Sequence, residues 1–309
     1  MATPRRLVIG APGAVRARRA TRRAPLLPGL LLLTLLAGGC SRGRLVVTAT
    51  APLMDASVEE IFRSGDVETA RRGLPGQILL LRGLCRCDPD RLETWTMAAQ
   101  LYASYAIVFV GEEDPDYAGQ LYREGRDLGL RYLRRIAWFD AAWSEGPDEL
   151  RAQIVARRPM ELVPLLTWTA ACLGQHVLAN QDRPREMLDL PYVHAMIEAA
   201  IDLDGGYFYG MPHVVKGMIL ATVPQGLGGN LEEADRYFRA AMELSGGRFL
   251  LHAVLYAQSV CTAALDKERF VATLEEVLRA PEELPEARFM NVVAKERAAR
   301  LLARRKELF

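Results

Sequence analysis

Histidines and closely spaced acidic residues are the side chains of this 309-residue chain that could support acid–base or metal chemistry. Asp202 and Asp204 begin a calcium-loop pattern, but the third acid and the distal glutamate are missing at the required spacing. A helix end that leads into the turn at Gly205 explains this stretch better. There is no glycine-rich phosphate loop, H-E-x-x-H pattern or G-x-S-x-G elbow. We therefore predict a noncatalytic protein without a metal or cofactor. The histidines, far apart in the sequence, are His176, His194, His213 and His252.

A different chemistry is indicated at Cys40, which ends the apolar run LLLLTLLAGGC. Seven arginines and no acidic residue precede this cysteine. The apolar core from Leu26 to Ala37 is about a dozen residues, whereas a membrane-spanning helix needs roughly 20. A basic stretch, a short apolar run and small residues are typical of an export signal. The end of the run resembles a bacterial lipobox, in which the cysteine thiol takes a diacylglyceryl group. We therefore predict a signal peptide over residues 1–39 and lipid attachment at Cys40.

The predicted anchor and the charge of the mature chain indicate where the protein works. Acyl chains hold a protein on a membrane without a spanning helix, and Ser41 favours the outer membrane of a Gram-negative cell. Removal of the signal peptide lowers the 39 basic residues to 32 and leaves 38 acidic residues, a net charge of about −6. This charge argues against nucleic-acid binding and against electrostatic docking on anionic lipid. We expect a lipid-anchored protein on the periplasmic face of a bacterial membrane.

The other cysteines give no sign of a metal site. Cys172 and Cys261 lie in apolar helical patterns, where a cysteine commonly serves as a small buried apolar residue. Cys85 and Cys87 have no second pair at the spacing of zinc ligands. Because export leads to an oxidising compartment, the sequence leaves disulfide pairing among these four cysteines open.

The elements that must position these residues are predicted to be helices. Apolar residues recur at helical spacing after residues 40–52, which we predict to be a lipidated N-terminus and tether. Within that tether, RLVVTAT is the only strand-like stretch. Asp116–Trp143 has one amphipathic stripe, and Asn230 and Asp266 are predicted to cap later helices. The pattern predicts an all-α fold.

Later helices are predicted in consecutive pairs of similar length. In one of them, Ala234, Phe238 and Ala241 match the small-aromatic-small positions of a tetratricopeptide repeat. Stacking of such pairs buries a continuous core. We predict one domain over residues 53–309, a tetratricopeptide-like solenoid of stacked antiparallel helix pairs. The two clearest pairs are Gly205–Val223 with Asn230–Leu244, and Arg248–Ala264 with Lys267–Ala280.

Several stretches resemble the T component (TatT) associated with tripartite ATP-independent periplasmic (TRAP) transporters. They are GGNLEEADRYFRAAMELSGGRFLLHAVLYAQSV, LPEARFMNVVAKERAARLLAR, PLLTWTAACLG and AMIEAAIDLDGGYFYGMPHVVKG. The resemblance covers the mature chain and is strongest from Ala195 onward. It implies a periplasmic lipoprotein accessory to a TRAP transporter, with the solute-binding protein of that transporter as its partner. It also implies a hole through each protomer, and it is compatible with a homo-oligomer.

Aromatic residues near the glycines of Gly205–Gly210 are candidates for lining that hole. A helical solenoid with large aromatic residues and a glycine-rich crossing can leave an apolar cleft. Packing in the core is the default explanation for most of these rings. We nevertheless select Trp168, Tyr207, Tyr209 and His213 as candidates to line a cavity for an apolar small molecule.

Three functions remain open at the level of the sequence. The leading one is the TRAP accessory protein, which binds a solute-binding protein and an apolar ligand. The second is a general tetratricopeptide-type scaffold in envelope assembly, with no small-molecule ligand. The third is an envelope hydrolase, which would require a cluster of acids or a Ser/His pair with shifted pKa values in a cleft.

Overall fold

The computed structural model describes residues 39–111 and 113–309, and this part of the chain contains helices and no strands, which confirms the all-α fold. The predicted signal peptide, apart from Gly39, and the side chain of Cys40 lie outside the described residues. Two π-helical turns, Ala106–Val110 and Ala257–Cys261, follow α3 and α12. The α-helices are α1 (Gly39–Arg63), α2 (Val67–Cys87), α3 (Leu92–Tyr105), α4 (Pro115–Leu133), α5 (Ala137–Glu145), α6 (Pro147–Arg157), α7 (Val163–Leu178), α8 (Pro184–Met187), α9 (Leu190–Asp204), α10 (Tyr207–Thr222), α11 (Leu231–Leu244), α12 (Leu251–Tyr256), α13 (Lys267–Arg279), α14 (Arg288–Ala303) and α15 (Arg305–Leu308).

Residues 40–52, which we expected to form a tether, belong to helix α1. From Gly43 onward the chain is part of the same compact unit as the remaining helices. Val47 is completely buried, and Arg44 forms ion pairs with Asp88, at 3.5 Å, and with Asp90. The β-branched composition did not decide the conformation because tertiary packing outweighs small differences in helix propensity. Residues 43–52 are therefore a helical part of the packed domain rather than a free tether.

The predicted helix pairs are present in the C-terminal half. Helix α10 packs against α11, and α12 packs against α13. Phe238 of α11 is completely buried, and so are Ala234 and Ala241 on the same face. The predicted caps are also confirmed, because the side chain of Asn230 accepts a hydrogen bond from the Glu233 amide, and the side chain of Asp266 caps α13 in the same way. Two pairs of consecutive helices that pack against each other thus form much of this half of the domain.

The long amphipathic stretch Asp116–Trp143 is divided into two helices. Helix α4 ends at Leu133 and α5 begins at Ala137, with Ile136 in an extended conformation between them. Both helices bury their apolar faces in the same core, so the periodic pattern continues across the turn. Because no glycine or proline marks the break, sequence spacing alone did not reveal it.

Helix α7 lies at the centre of the fold and carries Trp168. It packs against α3, α4, α9 and α10, and nearly all of its residues are buried. Its approach to α4 is very close, since a Cβ atom at Gly129 would lie 2.0 Å from Oγ1 of Thr169. This close packing fixes α7 and therefore the position of the Trp168 side chain.

Candidate functional site

Trp168 of α7 meets the aromatic segment that begins α10. The indole is only 1% exposed, and its Nε1 donates a hydrogen bond of 2.9 Å to the Tyr207 hydroxyl. Burial raises the pKa of Tyr207 to about 12, so its hydroxyl is neutral at physiological pH. Two candidate residues 39 positions apart in the sequence are thus joined directly.

The backbone of the aromatic segment departs from a helix. Phe208, Tyr209 and Gly210 have φ values of 43°, 60° and 90°, all in the left-handed region. This conformation costs a residue with a side chain about 1–2 kcal/mol of free energy, whereas glycine adopts it without that cost. Regular helix resumes at Met211, so Pro212 lies in its first turn, where a proline is tolerated. The aromatic rings of this segment therefore project from an irregular turn and not from the face of a regular helix.

An open groove of about 600 Å³ lies between α1, α3 and this aromatic segment. Its volume is within the range of about 300–1,000 Å³ that small-molecule sites occupy. Phe62, Met97 and Phe208 contribute to its apolar surface. Its lining also includes five carboxylates and no basic side chain, so it favours a neutral or cationic group over an anion. These acidic residues are Asp55, Glu59, Glu93, Glu161 and Glu286.

A narrow inner cavity lies behind Phe208. Its volume is about 30 Å³, which is room for about two water molecules. Trp168 lines this inner cavity, whereas Tyr207 and Tyr209 line the groove. Most of its other lining residues are apolar: Ile107, Val108, Ala171, Met211, Val214, Val215, Met218, Ile219, Phe249, Leu251, Leu255 and Met290.

A third space, a recess of about 380 Å³, adjoins the inner cavity. Each π-helical turn contributes to its wall, one with Ile107 and the other with Gln258. Such turns are frequent at functional sites. The guanidinium of Arg297 donates a 2.9 Å hydrogen bond to the Ile107 carbonyl. Groove, inner cavity and recess therefore adjoin in series. The residues that line both the cavity and the recess are Ile107, Gln175, Met218 and Leu255.

His213 lines none of these three spaces. Its ring packs against Tyr237 with the ring centres 5.8 Å apart, and its Nε2 would lie 2.6 Å from a Cβ atom at Gly205. Burial lowers the pKa of His213, which favours the neutral ring. The structure thus brings Trp168, Tyr207 and Tyr209 together and leaves His213 outside the group. As contacts to a ligand, all four stay predictions.

Phe208, which we did not select, is a lining residue of both the groove and the inner cavity. Helical spacing cannot rank three consecutive aromatic residues, because a regular helix would point them in different directions. The signal in the sequence was Gly210 followed by Pro212. This combination indicates that the regular helix starts after the aromatic residues and that the segment before it is irregular.

One buried polar cluster joins α9 and α10. The Lys216 ammonium is 2.6 Å from a carboxylate oxygen of Glu198 and 2.5 Å from Nδ1 of His194. Burial, together with this ammonium, lowers the pKa of His194 to about 4, so the neutral ring accepts the hydrogen bond. Arg151 of α6 also pairs with Glu198, at 3.3 Å. The polar and charged groups of this cluster are paired with one another, and they line none of the three spaces. This arrangement favours a role in packing helices.

The described cysteines are unpaired, and the buried ones are poorly suited to chemistry. Cys85, Cys172 and Cys261 are buried, and Cys87 is exposed. Burial raises the pKa of the Cys85 and Cys172 thiols to about 12, so their nucleophilic thiolate forms are scarce at neutral pH. Within residues 39–111 and 113–309, no group of three or more His, Cys, Asp or Glu residues is arranged to hold a metal ion.

Comparisons with known proteins agree with this architecture. None of the described helices is long and apolar enough to cross a membrane. An uncharacterized protein of Treponema pallidum (strain Nichols) is 23% identical over an alignment that covers 89% of this chain and 94% of that protein. A family model described as the TRAP transporter T-component matches residues 63–309, which include helices α2 to α15. The chain therefore belongs to the TRAP transporter T-component family.

Proposed function

We propose that this protein is a noncatalytic lipoprotein on the periplasmic face of a bacterial membrane, where it binds the solute-binding protein of a TRAP transporter and an apolar ligand. Membership of the T-component family supports an accessory role linked to TRAP transporters. The lipobox-like sequence supports the anchor at Cys40, with Ser41 favouring the outer membrane. The series of three spaces supports the binding of a ligand.

The observation that carries the proposal is the apolar surface of the groove, which ends at Phe208, a residue that also lines the inner cavity. Each Å² of apolar surface that a ligand buries there contributes roughly 25 cal/mol to binding. The hydrogen bond between Trp168 and Tyr207 satisfies the polar atoms of both rings. Because their polar groups are already paired, these side chains offer mainly apolar faces. The ligand is therefore an apolar molecule, and any charged group at its groove end is cationic.

The carboxylates at the groove also bear on the partner. They come from α1, α3, the turn before α7 and the loop before α14. A protein that docks over this groove therefore presents neutral or basic residues to it, and its association slows as salt increases. A stable interface of this kind would bury at least about 1,000 Å² in total.

Calorimetry between the mature protein and the solute-binding protein encoded beside it tests the partner. We expect saturable binding, weakened when Glu161 and Glu286 are both changed to glutamine. Exposed acids away from the groove, Glu145 and Glu268, provide the matched double-glutamine control. If binding is absent at high micromolar concentration, with both proteins folded and an apolar ligand present, a general envelope scaffold explains the protein better.

The anchor has its own experiment. Mass spectrometry of protein extracted from membranes should find a lipid-modified N-terminal peptide that begins at Cys40. A Cys40→Ala variant should be unprocessed at this position and should lack the lipid. Unchanged processing and membrane attachment of that variant would rule out the predicted anchor.

A further inference from the structure

Phe208 lies at the boundary between the groove and the inner cavity. Among the residues that the structure describes, it is the only one that lines both spaces. Tyr207 and Tyr209, its neighbours in the sequence, line only the groove, and Trp168 lines only the cavity. The Phe208 side chain therefore separates a wide space from a narrow one.

Other rings hold the Phe208 ring from several sides. Its centre is 5.4 Å from that of Trp168 and 5.9 Å from those of Phe62 and Phe249, all three edge-to-face. These partners belong to α7, α1 and the segment before α12. Such aromatic pairs stabilise a fixed arrangement. The left-handed backbone at Phe208 persists because this surrounding packing over-determines it.

The inner cavity behind Phe208 is small, and its size limits how far a ligand can reach. With room for about two water molecules, the cavity does not admit an alkyl chain while the ring is in place. A chain that lies along the apolar surface of the groove therefore ends at Phe208. Beyond the ring, the cavity wall is apolar and leads to the recess through four shared lining residues.

We propose that Phe208 determines ligand length, because its ring stops an alkyl chain at the inner end of the groove. This inference rests on the proposed function, in which the groove takes an apolar ligand. Removal of the ring would join the groove to the inner cavity and let a longer chain bury its end against Trp168 and Met211. Phe208 thus acts as a specificity-determining residue.

A series of straight-chain primary alkanols, from hexanol to tetradecanol, tests this inference. Their affinities for the mature protein are measured by displacement of an environment-sensitive naphthylamine dye. Each added methylene should strengthen binding about fourfold while the chain still reaches new apolar surface. For the native protein, we expect the gain to stop once the chain reaches Phe208. For Phe208→Ala, the gain should continue over several further methylenes, with a change in Trp168 fluorescence.

The matched control is Met97→Ala, because Met97 lines the groove and not the inner cavity. This variant should weaken all alkanols without shifting the length at which the gain stops. Phe208→Leu leaves a smaller obstruction and a less disturbed core, and it should give an intermediate length. It serves as the informative variant if circular dichroism shows that Phe208→Ala does not fold.

The outcomes separate this inference from the function on which it rests. If alkanols bind, but their affinity for folded Phe208 variants stops increasing at the same chain length as for the native protein, Phe208 does not set the length. The groove would still bind apolar ligands in that case. Binding of alkanols by Phe208→Ala alone would overturn the inference, because the native groove would then hold no chain for the ring to stop. If neither protein binds any alkanol, both the apolar ligand and the length limit are wrong. Binding of the solute-binding protein is measured separately and is not affected by that result.

Discussion

Phe238 and Phe208 lie on neighbouring helices, yet the fold uses them in different ways. Phe238 is completely buried in regular helix α11, with Ala234 and Ala241 on the same face. Phe208 is only partly buried, has a left-handed backbone and lies between two open spaces. The small residues around Phe238 let helices close upon its ring. At Phe208, the start of α10 is irregular, and the aromatic rings meet without filling the region.

The comparison shows how one helical domain contains both a rigid core and a cavity. Regular pairs such as α10 with α11 interdigitate, because small and large residues recur at helical spacing. Where the helix gives way to the turn at Phe208–Gly210, that spacing is lost and the side chains no longer interdigitate. The groove and the inner cavity therefore occur where the repeat pattern is interrupted.

The largest expected effect is at Phe238. Phe238→Ala should lower the free energy of unfolding by about 3–5 kcal/mol, because it empties a fully buried ring position. Urea unfolding of the mature protein measures this change. Leu244→Ala, an exposed leucine on the same helix, is the control and should stay within about 0.5 kcal/mol. An equally small effect at Phe238 would contradict the comparison.

Acid should destabilise the packed helices before it affects the aromatic site. Burial lowers the pKa of His252 to about 3, and burial together with Lys216 lowers that of His194 to about 4. Their unfolded forms titrate near pH 6.5, so the stabilisation is complete above that value and is lost as the pH falls from about 6.5 towards about 4 for His194 and about 3 for His252. Urea unfolding should show a loss of about 2 kcal/mol or more between pH 7 and pH 4.5.

The control for this prediction is His252→Gln, which should weaken the pH dependence over the same range. Trp168 and Tyr207 are both neutral there, so the signal of their hydrogen bond should change only with global unfolding. Equal stability at the two pH values would show that these histidines are not held neutral by the fold.

Phe208→Ala should cost less than the change at Phe238, about 1–2 kcal/mol. The ring is partly exposed, so its removal returns less apolar surface to water. The same unfolding experiment measures the difference between the two variants. A loss as large as that of Phe238→Ala would indicate that Phe208 is a core residue and not the wall of a cavity.

The smallest expected effect is the difference in stability between a glycine and an alanine variant. Its sign is opposite at Phe208 and at Phe238. At Phe208, glycine should be about 1 kcal/mol more stable than alanine, because glycine adopts the left-handed backbone without strain. At Phe238, alanine should be about 1 kcal/mol more stable than glycine, as in other helix interiors. Comparison of the four single variants by urea unfolding tests this inversion. The same sign at both sites would contradict the left-handed conformation of Phe208.

The sequence by itself determined the helical class, the caps at Asn230 and Asp266, and the paired helices around Phe238. The helical class and the caps depend on contacts between residues a few positions apart, so spacing and residue type are sufficient to predict them. The helix pairs join neighbouring helices, and the repeated pattern of small and large residues indicates them. The choice of Trp168 and Tyr207 as members of one site also came from the sequence. That choice was based on the aromatic residues close to glycines and on the family resemblance.

Only the tertiary structure decided the rest. Residues 40–52 lie in helix α1, where Val47 is completely buried and Arg44 pairs with Asp88, and α4 ends at Leu133 although its apolar pattern continues. The position of His213 outside the three spaces, and that of Phe208 between two of them, follows from the left-handed turn at the start of α10. Local propensity disfavours such a turn for aromatic residues. It exists because α1, α7 and the segment before α12 hold the Phe208 ring, and these contacts join residues remote in sequence.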